Sequence, residues 1–522
     1  MFSEVWHRRI FLFGLISLSS GLLFGSVLTS VPQIILITNW LLELNFSKKI
    51  KSLFTMKLFW ALCSLFFLHI IGMIYTSDLH DGLNDLKTKI PLLLLPIIFL
   101  TTKPLDKKEF GWVFQFFFLS VIISSLWCYL VYLGFTNKKI IDIRDASVFI
   151  SHVRFSLIIT FSIIGISYFL KNKSKKITDI LSILWLFFFM YKFQMATGLF
   201  LLIIVGLILS FIYMFKKLTL FLNVIILLFI STLFYLGYSK INSDLLMYNK
   251  NPKSINNVLL TETKNHNRYL QDTLFNLAEN GNLITININD SELQKEWAKR
   301  SKLPYNGTDF NGNNLRFTIL RYITSKGRAK DSLGISTLNN QDITNIENGI
   351  SNFKYSYDIG LSQKWREVVW EYVKYKRREN PSGHTLTMRL EFWRTAIYII
   401  KQNSIIGVGT GDIKNSFDVA YNETNSKLTK EWRLRCHNQY LAITVAFGIV
   451  GLAIFLFYLL YPIITLNKKL HYLYWPFILI ILFSFITEDT LENQTGLTFF
   501  ALFNTLFIWL ANSEKNETNL LK

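Results

Sequence analysis

The sequence is poor in the residues that tie small or metal-held folds together. Its 522 residues include only three cysteines, Cys63, Cys128 and Cys436. The first two lie inside apolar runs, so neither a disulfide framework nor a thiolate metal site is supported, and redox chemistry is not expected. His152 and His384 have no carboxylate or cysteine partner at ligand spacing, so no metal and no other cofactor is expected. Acidic residues are also scarce: 35 Asp and Glu face 55 Lys and Arg, a net charge of +20. In an apolar chain this excess is first explained by cations held on the cytoplasmic side of a membrane, and no nucleic-acid partner is expected. Neither an internal repeat nor a low-complexity tract is visible. The glycines at 407–411 lack the Lys-Ser/Thr ending of a phosphate loop and read as a turn.

Apolar surface is what the chain has in excess. Hydrophobic residues make up 51% of it and aromatic residues 16%, more than one soluble core of this size would bury. Apolar windows fall at about 10–30, 31–46, 57–75, 90–102, 112–135, 153–170, 177–193, 195–215, 218–238, 439–465, 474–489 and 495–511. The expected fold class is therefore an all-α polytopic membrane protein of about twelve spans. The pair Arg8-Arg9 before the first window has the look of an export signal, yet no small-residue cleavage site follows, so it reads as an uncleaved first helix.

With the N-terminus inside, Lys48, Lys49, Lys51, Lys57, Lys103, Lys107, Lys108, Lys171, Lys173, Lys175, Lys176, Lys216, Lys217, Lys468 and Lys469 join Arg8 and Arg9 on the cytoplasmic side. Dropping one window reverses this asymmetry downstream. The rule predicts an inner-membrane protein with both termini cytoplasmic. Residues 1–238 would form an N-terminal membrane domain of about nine spans, 239–438 a periplasmic loop domain, 439–511 about three further spans and 512–522 a cytoplasmic tail.

A loop of this length should fold and carry function. Alternation at Ile284, Ile286 and Ile288 reads as a half-buried strand, as does 317–323, so the loop is expected to be mainly helical with some β structure. Trp365, Val368, Val369, Tyr372 and Val373 follow helical spacing until the stop at Asn380-Pro381-Ser382-Gly383. A second helix starts near Thr387 and ends at the glycine turn; Asp412 is placed to cap a third carrying Ile413, Phe417 and Tyr421.

The end of this loop gathers Arg389, Arg394, Arg433, Arg435 and His437 next to the following span. Guanidinium forks suit either a lipid-linked pyrophosphate or ordinary anionic headgroups. Arg389 shares a helical face with Trp393, whereas Arg394 points away and reads as solvated. His437 precedes Asn438-Gln439-Tyr440 at the mouth of a span. A helix N-terminus lowers an imidazole pKa, which suits a neutral general base; a capping histidine is the other reading. Arg154, at the start of its span, is either a second phosphate ligand or an interface anchor. Glu488, Asp489 and Glu492 either hold an acceptor sugar or neutralise an arginine.

In the run Arg389-Leu390-Glu391-Phe392-Trp393, the turn Gly407-Val408-Gly409-Thr410-Gly411, and His437-Asn438-Gln439-Tyr440-Leu441 followed by Gly448 and Gly451, the sequence resembles the O-antigen ligase and polymerase superfamily of bacterial envelope glycosyltransferases, in particular its Bacteroidetes-type members. The family's Ser-Arg-Gly motif is replaced by Gln194-Met195-Ala196-Thr197-Gly198, so Lys192 or Arg154 would have to supply that cation. The resemblance implies transfer of a glycan from undecaprenyl-pyrophosphate to an acceptor hydroxyl, lipid A-core or another glycan, without metal or nucleotide. It implies His437 as base and Arg389, Arg154 and Arg435 on the pyrophosphate, with Arg394, Lys192, Asn438 and Trp393 in support. A polymerase or protein oligosaccharide transferase would share this chemistry. A transporter of lipid-linked sugar is the alternative of another class; it would show polar residues near the membrane midplane and repeated halves, whereas here polar residues gather at one surface.

Overall fold

The computed structural model describes residues 3–520 apart from 45, 139, 141–142, 171–175, 218–227, 229–230, 233–234, 246–258, 274–276, 357–360 and 467–469. Two compact units emerge, one of 1–218, 389–426 and 433–522, the other of 219–388 and 427–432. The stretch expected as one loop, 239–438, is therefore split: its last part packs with the apolar helices.

The first unit is helical throughout its described regular elements. Lys107–Tyr132, His152–Phe169, Gln439–Leu466 and the Gln494–Ser513 part of the last helix are each long and apolar enough to cross a membrane. The bent pair Ser26–Leu42 and Phe46–Thr55 would add a fifth span, and Lys57–Gly72, Ala196–Ile212 and Tyr474–Thr487 are shorter apolar helices. Twelve spans are thus more than these helices establish, because several windows fold as helices below the roughly 20 residues a span needs. The window at 218–238 lies largely outside the described residues, and the predicted tail at 512–522 begins as a continuation of the helix Gln494–Leu520.

Lys107–Tyr132 shows why lipid is the natural surrounding. Its buried face carries Val113, Phe114, Phe117, Val121 and Cys128, and its exposed face carries Trp112, Phe116, Leu119, Ile123 and Trp127. A helix apolar on both faces is not a water-facing one. Its N-terminus is closed by a capping box between Asp106 and Glu109, and Arg8 pairs with Glu109 there.

One interruption positions the site. Gly448 adopts φ 62° and ψ −160° inside Gln439–Leu466, a region open essentially to glycine alone. The break is filled by the glycine turn: Val408 N and Gly409 N donate to the carbonyls of Val445 and Ala446 at 3.0 and 2.8 Å, and Ile449 N donates to Ser404 O at 2.9 Å. A Cβ on Gly448 would stand 2.2 Å from Ile405 O. Backbone groups freed in an apolar setting need such partners. Asp412 does not cap the helix Ile413–Glu423; its carboxylate accepts from Ser77 N and Asp78 N at 2.7 and 2.8 Å.

The second unit has its own core, in which Trp297, Leu315, Ile319, Tyr322, Ile323, Trp370 and Val373 pack together. The stretch 317–323 is not a strand. It lies in the helix Leu315–Ser325, capped by Asn314, with Leu315, Ile319, Tyr322 and Ile323 on the buried side. The i, i+4, i+7, i+8 spacing outweighs a β-branched and aromatic composition. Ile284, Ile286 and Ile288 are all buried, and the regular β structure among the described residues is the short antiparallel pair Ala278–Glu279 and Asn282–Leu283. The expected helices appear as Leu361–Lys376 and Thr385–Gln402.

Candidate active site

His437 is held at φ 45°, a left-handed conformation uncommon for a residue with a Cβ. The two residues that follow explain how it is kept there. Asn438 accepts from Leu441 N at 3.0 Å, capping the helix Gln439–Leu466, and donates to Ile486 O at 2.9 Å. Gln439 accepts from Leu491 N and donates to Glu492 Oε1, both at 2.8 Å. The end of the helix Tyr474–Thr487 and the segment after it are therefore fastened beside His437 by a cap and a bridging amide.

That fastening delivers two carboxylates to one imidazole nitrogen. His437 Nδ1 lies 3.4 Å from Asp489 Oδ1 and 3.9 Å from Glu488 Oε2. It is shielded from solvent yet makes no well-aligned hydrogen bond, as is common for catalytic pairs before substrate binds. Asp489 holds the imidazole pKa above its ordinary value, with burial opposing. This reverses the lowered pKa expected from the helix terminus, because a carboxylate in contact outweighs a helix-end partial charge. Burial alone would raise the Asp489 pKa, and His437 overrides it so that the carboxyl is held low. At Glu488 burial dominates and the pKa is raised, with Arg389 and His437 pulling the other way.

Arg389 donates from Nη2 to Glu488 Oε1 at 2.9 Å, and Phe392, three residues on, sets its ring 5.7 Å from that of His437. Arg154 begins the helix His152–Phe169; its Nε is buried without a hydrogen-bond partner, and its charge acts on both Glu488 and Asp489. Trp393 Nε1 is likewise buried without a partner among the described residues. Arg435 lies 3.9 Å from Glu492 Oε2. His437, Arg389, Arg154 and Arg435 are thus brought into one electrostatic neighbourhood. Other predicted residues stand elsewhere: Arg394 is 60% exposed beside Glu391, Lys192 lies over the Tyr132 ring, and Arg433 lies over Tyr421 and donates to Asn422.

Sequence reasoning missed the layer behind these groups. Lys89, fully buried, donates to Leu491 O at 2.6 Å and Glu492 Oε2 at 2.9 Å. It also stands 3.6 Å from Asp85, whose other oxygen is 2.8 Å from His69 Nδ1. A lysine just before an apolar run is the one signal the sequence offers for it. Glu488 does neutralise an arginine, one of the two readings open for the acidic cluster, and Asp489 instead meets the histidine. His437, Glu488 and Asp489 place ligand atoms within 4.8 Å of one another, a spacing at which they could hold a metal ion.

Residues 363–456 match the family model described as O-Antigen ligase. The matched stretch holds Arg389, Trp393, the glycine turn, His437 and Gly448 and stops short of Glu488 and Asp489. The match supports the O-antigen ligase superfamily for this chain, in agreement with the resemblance carried by those motifs. No curated protein matches the chain.

Proposed function

We propose that the chain is a membrane glycosyltransferase of O-antigen ligase type, which moves a glycan from undecaprenyl-pyrophosphate to a hydroxyl of lipid A-core. The site faces the periplasm, in an inner-membrane protein of about twelve spans whose termini are cytoplasmic and whose loop domain follows the ninth span. The observation that carries the reading is the His437–Asp489 contact beside Arg389.

With Nδ1–H directed at Asp489, Nε2 keeps its lone pair for the proton of the acceptor hydroxyl. The hydroxyl oxygen bonds to the anomeric carbon as the bond from that carbon to the phosphate oxygen breaks. The electron pair leaves with the pyrophosphate, and the proton ends on His437. Arg389, Arg154 and Arg435 stabilise the charge that develops on the leaving group. Polymerase and protein transferase differ only in which hydroxyl is presented.

The test replaces the native copy with His437→Ala at equal protein level and follows surface polysaccharide and lipid-linked precursor. Loss of a general base removes about 10²–10⁴-fold in rate, so surface polymer should vanish while precursor accumulates. Precursor frozen at one repeat would mark a polymerase, and long unattached chains a ligase. Unchanged surface polysaccharide would return His437 to a helix-end role.

A further inference from the structure

Most of the cations around His437 are engaged by carboxylates before any substrate arrives. Among the described residues, Lys89, Arg389 and Arg435 each lie within ion-pair distance of a carboxylate, whereas Arg154 acts on Glu488 and Asp489 without such a contact. A pyrophosphate that engages Lys89, Arg389 or Arg435 therefore meets a cation already held by a carboxylate, and that carboxylate has to give way. The candidates differ in how firmly they are held. Asp85 contacts both His69 and Lys89. Glu492 takes Lys89 on one oxygen and Gln439 on the other. Asp489 faces His437. Glu488 has one hydrogen bond to a charged group, from Arg389, and its second oxygen stands 3.9 Å from His437 Nδ1.

Resting on the donor reading above, we propose that Glu488 is the resident occupant of the Arg389 phosphate site, an internal carboxylate that holds the guanidinium while the site is empty and is displaced when the pyrophosphate binds. A carboxylate and a phosphate oxygen engage guanidinium in the same way, and the more highly charged group wins. The Arg389 side chain is 22% exposed and has no other hydrogen bond among the described residues, so an incoming anion can reach it. The displaced carboxylate has a second cationic partner within reach, the imidazole of His437. Donor binding would thereby place Glu488 alongside Asp489 on Nδ1 and strengthen the base only when a glycan is present to be transferred.

The probe is inorganic pyrophosphate titrated calorimetrically into the full chain in detergent. An internal competitor lowers apparent affinity by the fraction of time it occupies the site, so Glu488→Gln should tighten pyrophosphate binding about tenfold. Turnover in the same variant should fall, because the amide cannot join Asp489 as a second charged partner of His437. Glu488→Asp, which keeps the charge, should restore affinity toward wild type and guards against a folding defect in the first variant. In the double variant Arg389→Ala/Glu488→Gln the tightening should vanish. Tightening that survives without Arg389, or none in Glu488→Gln while Arg389→Ala alone weakens binding, overturns the displacement and leaves the donor reading standing. If Arg389→Ala binds pyrophosphate as wild type does, the donor reading itself falls.

Discussion

Two arginines, one in each unit, are both partly shielded and both paired with a buried glutamate, yet they are held very differently. Arg321 contacts Glu279 through Nε at 2.7 Å and Nη2 at 2.5 Å, lies 3.8 Å over the Trp370 ring, and its partner is held again by Asn352 at 2.7 Å. Among the described residues Arg389 has a single hydrogen bond, to Glu488, and Arg154 Nε, Trp393 Nε1 and His437 Nδ1 are buried without hydrogen-bond partners. A polar network satisfied at every member locks a core, whereas one left open at several members keeps free donors for a ligand. Charge burial alone does not separate a structural pair from a functional one; the remaining hydrogen-bonding capacity does.

The comparison breaks most severely at Glu279→Ala. Glu279 is fully buried, and removing it leaves the Arg321 guanidinium without its carboxylate; a broken buried pair costs about 3–5 kcal/mol. Limited proteolysis should then cut within 259–356 far faster than in wild type. If proteolysis were unchanged, the Arg321 network would not be what holds this core. Next comes Asp489→Asn, which keeps the shape of the contact but removes the charge that raises the His437 pKa. A base works only when neutral, so wild-type activity should fall below a pKa lying above the ordinary 6.5. In the variant that acid limb should move to lower pH, and the maximal rate should drop about 10²-fold, the lower end of a general base's contribution. A limb that stays in place would mean that the titrating group is not His437.

The same distinction explains which features could be read from the chain. Leu361–Lys376 and Thr385–Gln402 were legible because apolar spacing and a Pro-Gly stop agree. Leu315–Ser325 was not, since Thr318, Ile319 and Ile323 favour a strand by composition and nothing marks Asn314 as the cap beside Asn311 and Asn313. At the site, Arg389 and His437 stood out by residue type and position. Asp489 did not, because its role depends on two helices returning the chain to the level of His437, as the bond from Asn438 to Ile486 O and that from Tyr440 to Leu482 O record. Lys89 and Asp85 were harder still: their partners lie on Lys57–Gly72 and beyond residue 490, and no local pattern announces such a pairing.

The smallest effect is expected at Arg394, and it sharpens the contrast with its neighbour on the same helix. Arg394 lies five residues from Arg389, which on a helix turns it away from the face shared by Arg389 and Trp393. Its side chain is 60% exposed and 3.6 Å from the carboxylate of the buried Glu391, an i, i+3 pair whose arginine end is solvated. A solvated guanidinium at this distance from its partner contributes about 0–1 kcal/mol. Arg394→Ala should therefore leave pyrophosphate affinity, surface polysaccharide and thermal stability within error of wild type, while Arg389→Ala loses the first two. Equal losses from both variants would show that the anion is attracted by the summed positive charge of this helix, and the single-bonded arginine beside Glu488 would lose its special standing.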